Sequence, residues 1–188
     1  MKNGEGKLKY IILLRGINIS GKNKIAMSEL KTVLQESGFN NVTTCLNSGN
    51  VILESDIESK EILGQKILEN IKEKFRLEIP VFVTTQVELE EVLNNSPDWW
   101  DTNDKNIYDN LIFVIPPSNY KEIFTTVGEP SKNIDKIQEY KNYIFWSFDL
   151  KNYKKSNWWI KTASTNIKDK ITIRTANTVK KILNLCQK

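Results

Sequence analysis

The stretch LKYIILLRGINISGKNKIAM, residues 8–27, decides the fold. Its first part, 8–14, is a short apolar run bounded by Arg15 and Gly16, which suits a buried central strand better than a helix. A loop rich in glycine, asparagine and lysine follows. Apolar residues at 27, 30, 33 and 34 then predict a helix over 27–37, with Gly38 as its C-terminal stop. A strand that feeds an amide-rich loop and then a helix N-terminus is a common way to present hydrogen-bond donors to a ligand.

Working outward, 42–46 and 51–54 read as strands joined across Asn47-Ser48-Gly49-Asn50, which has strong hairpin chemistry. Residues 57–75 carry a helical stripe (Ile62, Leu63, Ile67, Leu68, Ile71, Phe75), and 79–84 read as a strand that Pro80 directs to a sheet edge. Strand, helix, strand, strand, helix, strand is the ferredoxin-like order. That topology puts the 16–26 loop and the 47–50 turn at one end of the sheet.

A helix over 86–94 and an acidic loop holding Trp99 and Trp100, which read as packing residues, lead to a second round of the same order. It comprises a strand at 110–115, a helix at 120–127, a hairpin of 135–140 with 143–148, partial helix over 152–163 and a strand at 171–174. Thr175 or Asn177 then caps a last helix ending near Leu185. The expected fold class is α+β: two ferredoxin-like βαββαβ units in tandem, the second degenerate, plus a C-terminal helix. The expected domains are 1–85, a helix and linker over 86–106, and 107–188.

Composition excludes several chemistries. The chain has 188 residues and no histidine, so imidazole-based triads and imidazole metal sites are excluded. Any general acid or base is a carboxylate, Lys, Tyr or Cys. No metal and no cofactor is expected. Cys45 and Cys186 are too few for a disulfide framework and read as reduced thiols. Residues 1–7 read as a polar tail without a secretory signal, and no apolar stretch approaches the ~20 residues of a bilayer span. A cytoplasmic location with no membrane partner follows as an expectation.

Charge is unevenly distributed. Residues 151–188 hold ten basic residues against Asp169 alone, and residues 1–26 hold six against Glu5 alone, so the centre is acidic. Such asymmetry suits an anionic partner or self-association, although lysines also solvate helix faces. Only Arg15, Arg76 and Arg174 are arginines among 27 basic residues. Arg76 reads as a helix cap, while Arg15 and Arg174 stand where a strand meets a loop and suit bidentate anion contacts.

Gly16 to Lys22 nearly spells a phosphate loop. Asn23 replaces the Ser or Thr that would hold magnesium, the helix starts only near Met27, and the inferred sheet is small and mixed. A looser concavity of backbone N–H groups with Arg15, Lys22 and Lys24 fits better. The same segment also reads as a connection packed by Ile17, Ile19 and Ile25. Near the C-terminus, Tyr153, Trp158 and Trp159 alternate with Lys151, Lys154, Lys155 and Lys161. That string suits nucleic-acid stacking, but a core tryptophan flanked by snorkelling lysines produces the same pattern and is the favoured reading. Ser48 has no base to activate it and reads as a turn residue.

The segment from Leu13 to Leu30, with Gly38-Phe39, Val42 and Asn47-Ser48-Gly49-Asn50-Val51, resembles a bacterial family of small cytosolic proteins, domain-of-unknown-function family 1697. The resemblance is strongest over 10–55. Its C-terminal Thr-Arg-Asn-Trp-x-Thr-Val pattern corresponds to 173–179, where Arg174, Thr178 and Val179 agree and Thr175-Ala176 replaces Asn-Trp. The resemblance implies an α/β protein of ferredoxin-like character and carries no assigned function. The leading expectation is a binding protein for an anionic small molecule or nucleic-acid segment. Its contacts would come from Arg15, Gly16, Asn18, Gly21, Lys22 and Lys24, from Ser48 and Asn50 in the facing turn, and from Arg174, Asn177 and Thr178. An enzyme acting on a phosphorylated or carboxylated small molecule without histidine or metal is the alternative, and a self-associating module the third. The oligomeric state is not legible in the sequence.

Overall fold

The computed structural model describes residues 7–163 and 166–187, so all of the expected polar tail except Lys7 lies outside the described residues. The first elements are β1 (Leu8–Leu14), α1 (Met27–Glu36), β2 (Asn40–Cys45), β3 (Asn50–Ser55), α2 (Lys60–Phe75), β4 (Val81–Thr85) and α3 (Gln86–Asn94). The strands form a four-stranded sheet in the order β2-β3-β1-β4. β1 lies between β3 and β4, and within it Tyr10 to Leu14 are at most 1% exposed. The helices pack Leu30, Leu34, Leu63, Ile67 and Ile71 into one cluster with Tyr10, Ile12 and Leu14. β4 is an edge strand, as Pro80 at its entry demands.

Every pairing in this sheet is antiparallel, which corrects the expectation of a mixed sheet. The connection through α1 carries the chain past the position beside β1, and β3 fills it running the opposite way.

Local chemistry sets the helix boundaries. α2 begins three residues later than its apolar stripe suggests because Ser59 is its N-cap, with Oγ accepting from the Ile62 N–H at 3.2 Å. Arg76 ends it in a left-handed conformation (φ 57°), its N–H donating to the Lys72 carbonyl. α3 opens on a capping box: the Glu88 N–H donates to Thr85 Oγ1 (3.1 Å), and the Thr85 N–H donates back to Glu88 Oε2 (3.0 Å). Lys60 Nζ pairs with Glu88 at 2.5 Å. Burial opposes the charge on Glu88, but the bonds from Lys60, Thr85 and Thr84 together hold its carboxyl below the usual value.

The second set is β5 (Ile107–Val114), α4 (Tyr120–Val127), β6 (Asp135–Tyr140), β7 (Tyr143–Asp149), a 3-10 turn (Leu150–Lys155), α5 (Asn157–Thr162), β8 (Ile171–Thr175) and α6 (Ala176–Cys186). Its sheet is also four-stranded and antiparallel, in the order β6-β7-β5-β8. Trp146, Phe148 and Trp158 form its core with Ile112, Ile123 and Ile144. Asp135 is buried yet fully engaged: its carboxylate accepts from the Ser131 N–H, Trp146 Nε1 and Ser156 Oγ. The helical stretch expected over 152–163 is broken at Ser156, which is extended (φ −71°, ψ 118°) and caps α5 by accepting from the Trp159 N–H at 2.9 Å. Thr175 rather than Asn177 caps α6, through the Thr178 N–H.

The architecture is α+β, with two four-stranded antiparallel sheets and helices. The described residues fall into two compact units, one within Met1–Leu89 plus Ile182–Lys188 and the other within Glu90–Lys181. In the first, Lys9 Nζ donates to the Cys186 carbonyl at 2.6 Å, a cation on the last turn of a helix. Both cysteines are buried and neither is in a disulfide. No helix among the described residues is long and apolar enough to cross a membrane.

Two predictions follow from the first unit. Gly49 has φ +77°, and a Cβ there would lie 2.8 Å from Leu14 Cβ and 2.9 Å from Ile17 Cδ1. Gly49→Ala therefore combines a strained backbone with overpacking and is expected to cost about 2–4 kcal/mol in denaturant unfolding. Glu88→Gln should lower the melting temperature at pH 7. Glu88 ionises more easily folded than unfolded, so its contribution is present above the ordinary carboxyl value near 4.5 and is lost as pH falls through the lowered folded value. The variant and parent melting temperatures should converge once pH has fallen below that lowered value.

Candidate functional site

The loop between β1 and α1 is a folded object. Gly16, Asn18, Ser20, Gly21 and Asn23 all have positive φ, which explains its glycine and asparagine content. Ser20 and Gly21 form the tip of a tight turn in which the Lys22 N–H donates to the Ile19 carbonyl at 2.9 Å. The Asn18 N–H donates to the Asn23 carbonyl (3.1 Å), and Asn23 Nδ2 donates to the Gly16 carbonyl (3.1 Å). The loop thus uses the N–H groups of Asn18, Lys22 and Ile25 for itself, and the near-match to a phosphate loop does not extend to its geometry.

Asn18 links the loop to its surroundings. Its Nδ2 donates to the carbonyls of Ile25 and Asn47, both at 2.9 Å, while its Oδ1 accepts from the Ile25 N–H at 2.9 Å. The Leu14 N–H also donates to the Gly49 carbonyl at 2.8 Å. Loop and hairpin turn therefore meet at one end of the sheet, as the strand order requires.

Between them lies a solvent-open concavity of roughly 460 Å³, lined by Asn18, Gly21, Lys24, Ile25, Ala26, Met27 and Asn47. Ala26 and Met27 belong to the start of α1. Ala26 is the N-cap residue and supplies no side-chain hydrogen bond, whereas Ser59, Asn119 and Ser156 cap α2, α4 and α5 with their side chains. The positive end of the α1 dipole thus opens onto the concavity with exposed Lys24 beside it, and Glu29 is the acid of that first turn.

The other expected site residues take different positions. Arg15 is half-buried, and its N–H donates to the Pro80 carbonyl at 3.0 Å. Lys22 and Ser48 are exposed. Asn50 is fully buried, its Nδ2 donating to the Cys45 carbonyl (2.8 Å) and Ser48 Oγ (3.0 Å), so its amide braces the turn. Arg174, Asn177 and Thr178 belong to the second unit. There Arg174 is buried and donates to Thr172 Oγ1 and the Ile173 carbonyl, Thr178 serves the α6 cap, and Asn177 is exposed. Ala26, Met27 and Asn47 line the concavity without having been singled out in the sequence. The available signal was a non-capping Ala26 where a helix start ordinarily carries Ser, Thr, Asp or Asn.

Among the described residues, none that lines the concavity is a carboxylate. Among the described residues no group of His, Cys, Asp or Glu is arranged to hold a metal. In the second unit the Asp109 carboxyl is raised: burial lifts it, Asp101 and Asp104 add to the lift, and bonds from Ser147 and backbone oppose it.

The comparisons accord with this architecture. The chain is similar over 96% of its length, with 27% identity and a TM-score of 0.84, to the structure of conserved bacterial protein SP0830 from Streptococcus pneumoniae, 99% of which is covered. None of the curated proteins matches it. The model of the family described as "Protein of unknown function (DUF1697)" matches residues 8–145, a span that holds the loop, the facing turn and the concavity but not residues 173–179. The chain belongs to the DUF1697 family.

Proposed function

We propose that the protein binds a small anionic ligand, of the phosphate or nucleotide kind, in the concavity at the start of α1. The observation that carries this reading is the uncapped N-terminus of α1 opening beside Lys24. Asn18, fixed by its own bonds to Ile25 and Asn47, holds the rim; Gly21 keeps the approach free of a side chain; Lys22 and Lys24 supply mobile positive charge. Arg15 and Ser48 flank the concavity along the chain and complete the proposed set.

Each unit is read as ferredoxin-like, the order β2-β3-β1-β4 and its counterpart β6-β7-β5-β8 supporting that reading. On this reading the domains are 1–85 and 107–188 joined by 86–106. The helical crossover before β2 is what delivers the loop and the β2–β3 turn to the same sheet end.

Calorimetric titration with ADP and with inorganic phosphate at low salt tests the proposal. Binding is expected, weakening as salt rises, and Lys24→Gln should weaken it about tenfold with an unchanged melting temperature. Absence of binding to either probe at low salt would overturn the reading. Asn18→Ala should both weaken binding and destabilise the fold, because it frees the buried Ile25 backbone groups along with the rim.

A further inference from the structure

The two adjacent tryptophans of α5 have opposite fates. Trp158 is fully buried in the second core, whereas Trp159 is 42% exposed. Trp159 is held by rings: its centroid lies 5.4 Å from that of Phe148 and 5.3 Å from that of Tyr153, which meets it nearly edge-on at 82°. Phe148, buried, also packs on Tyr108 at 5.3 Å, and Tyr108 is itself exposed. An array of partly open aromatic faces thus stands on a rigid aromatic base.

Exposed lysines accompany this array in the 3-10 turn and α5: Lys151, Lys154, Lys155 and Lys161. Lys154 Nζ lies 5.9 Å from the Tyr153 ring centroid. The ion pairs among the described residues of this unit take Lys141, Lys170 and Lys180, not these four. Asp149 lies in the chain just before them; its carboxylate caps the 3-10 turn by accepting from Asn152 Nδ2 and the Lys151 N–H, and these bonds, with the Lys151 charge adding to them, lower its pKa.

We infer that this surface of the second unit binds single-stranded nucleic acid without sequence preference, unpaired bases stacking on Trp159 and Tyr153 while the lysines contact successive phosphates. Stacking is indifferent to base identity because every base has a π-face, and lysine ammoniums are point charges that read phosphates rather than base edges. Duplexes keep their bases stacked inside and offer this surface only backbone. A membrane surface is the weaker fit despite exposed Leu150 and Ile160, since α5 has only six residues and cannot lie along an interface as an amphipathic helix. The inference concerns a different unit from the α1 concavity and stands independently of it.

The test is fluorescence anisotropy of the full chain with fluorescein-labelled oligothymidylate of about 15 nucleotides, a matching duplex as control, across a salt series. The expected result is tighter binding of the single strand, about tenfold weakening by Trp159→Ala and near-parental binding by Trp159→Phe. The double variant Lys154→Gln/Lys155→Gln should reduce the slope of log affinity against log salt by about 1.4. Circular dichroism melts establish folding, and the Phe and Gln variants carry the test if the Ala variant unfolds. No oligothymidylate binding at low salt would overturn the inference, as would a lysine variant with the parental salt slope. Sedimentation with phosphatidylglycerol vesicles without oligothymidylate binding would overturn it in favour of a lipid surface.

Discussion

The first unit depends on a contact that requires the absence of a side chain. Gly49 approaches Leu14 and Ile17 so closely that a methyl group at 49 would sit at 2.8–2.9 Å from both. This lets the Gly49 carbonyl accept from the Leu14 N–H, closing the end of the sheet where β1 passes into its loop. Ile17 is then buried under the turn, and Asn18 is carried to the position where its amide reaches the Asn47 carbonyl. The loop is built outward from that point, with successive left-handed residues folding it back so that Ile25 is buried and α1 starts at Met27. The concavity is a consequence: it is the space left between a self-satisfied loop, the turn that pins it and a helix start with no side-chain cap.

The second unit solves the same topology with a different closure. Where the first uses a glycine contact and a side-chain amide, the second buries a carboxylate: Asp135 gathers the Ser131 backbone, the Trp146 indole and the Ser156 hydroxyl. Burying a carboxyl group is unfavourable unless its oxygens are satisfied, and here three donors converge on it. Ser156 is thereby fixed as the residue that ends the 3-10 turn and begins α5. Its placement decides which of the two neighbouring tryptophans turns inward.

Much of the fold was legible because it is written locally. β1, α3, α4 and β6 keep the bounds that apolar runs and flanking Gly, Pro and Asn suggest. Antiparallel pairing was less legible, since it depends on which strand fills the place beside β1 and no residue encodes that alone. The break at Ser156 also escaped periodicity, because it arises from a hydrogen bond to Asp135, 21 positions away. For the same reason the string holding Trp158 and Trp159 favoured core packing over surface stacking without dividing the two rings, of which Trp158 is buried in the core and Trp159 partly exposed. Within the candidate site, Asn18, Gly21 and Lys24 were marked by residue type, whereas Ala26 and Met27 contribute through backbone that no side chain caps. Asn50 looked like a donor for a ligand because a buried turn amide and an exposed ligand amide are the same letter in a sequence.

On the proposed reading, the positive end of α1, framed by this loop and turn, receives an anion. The most direct measurement is the change in backbone amide chemical shifts of isotopically labelled protein as ADP is added. Saturable shifts concentrated at Gly21, Lys24, Ala26 and Met27, with Asn47 at the rim, are expected. Saturable shifts confined to other segments, with those amides unmoved, would contradict it.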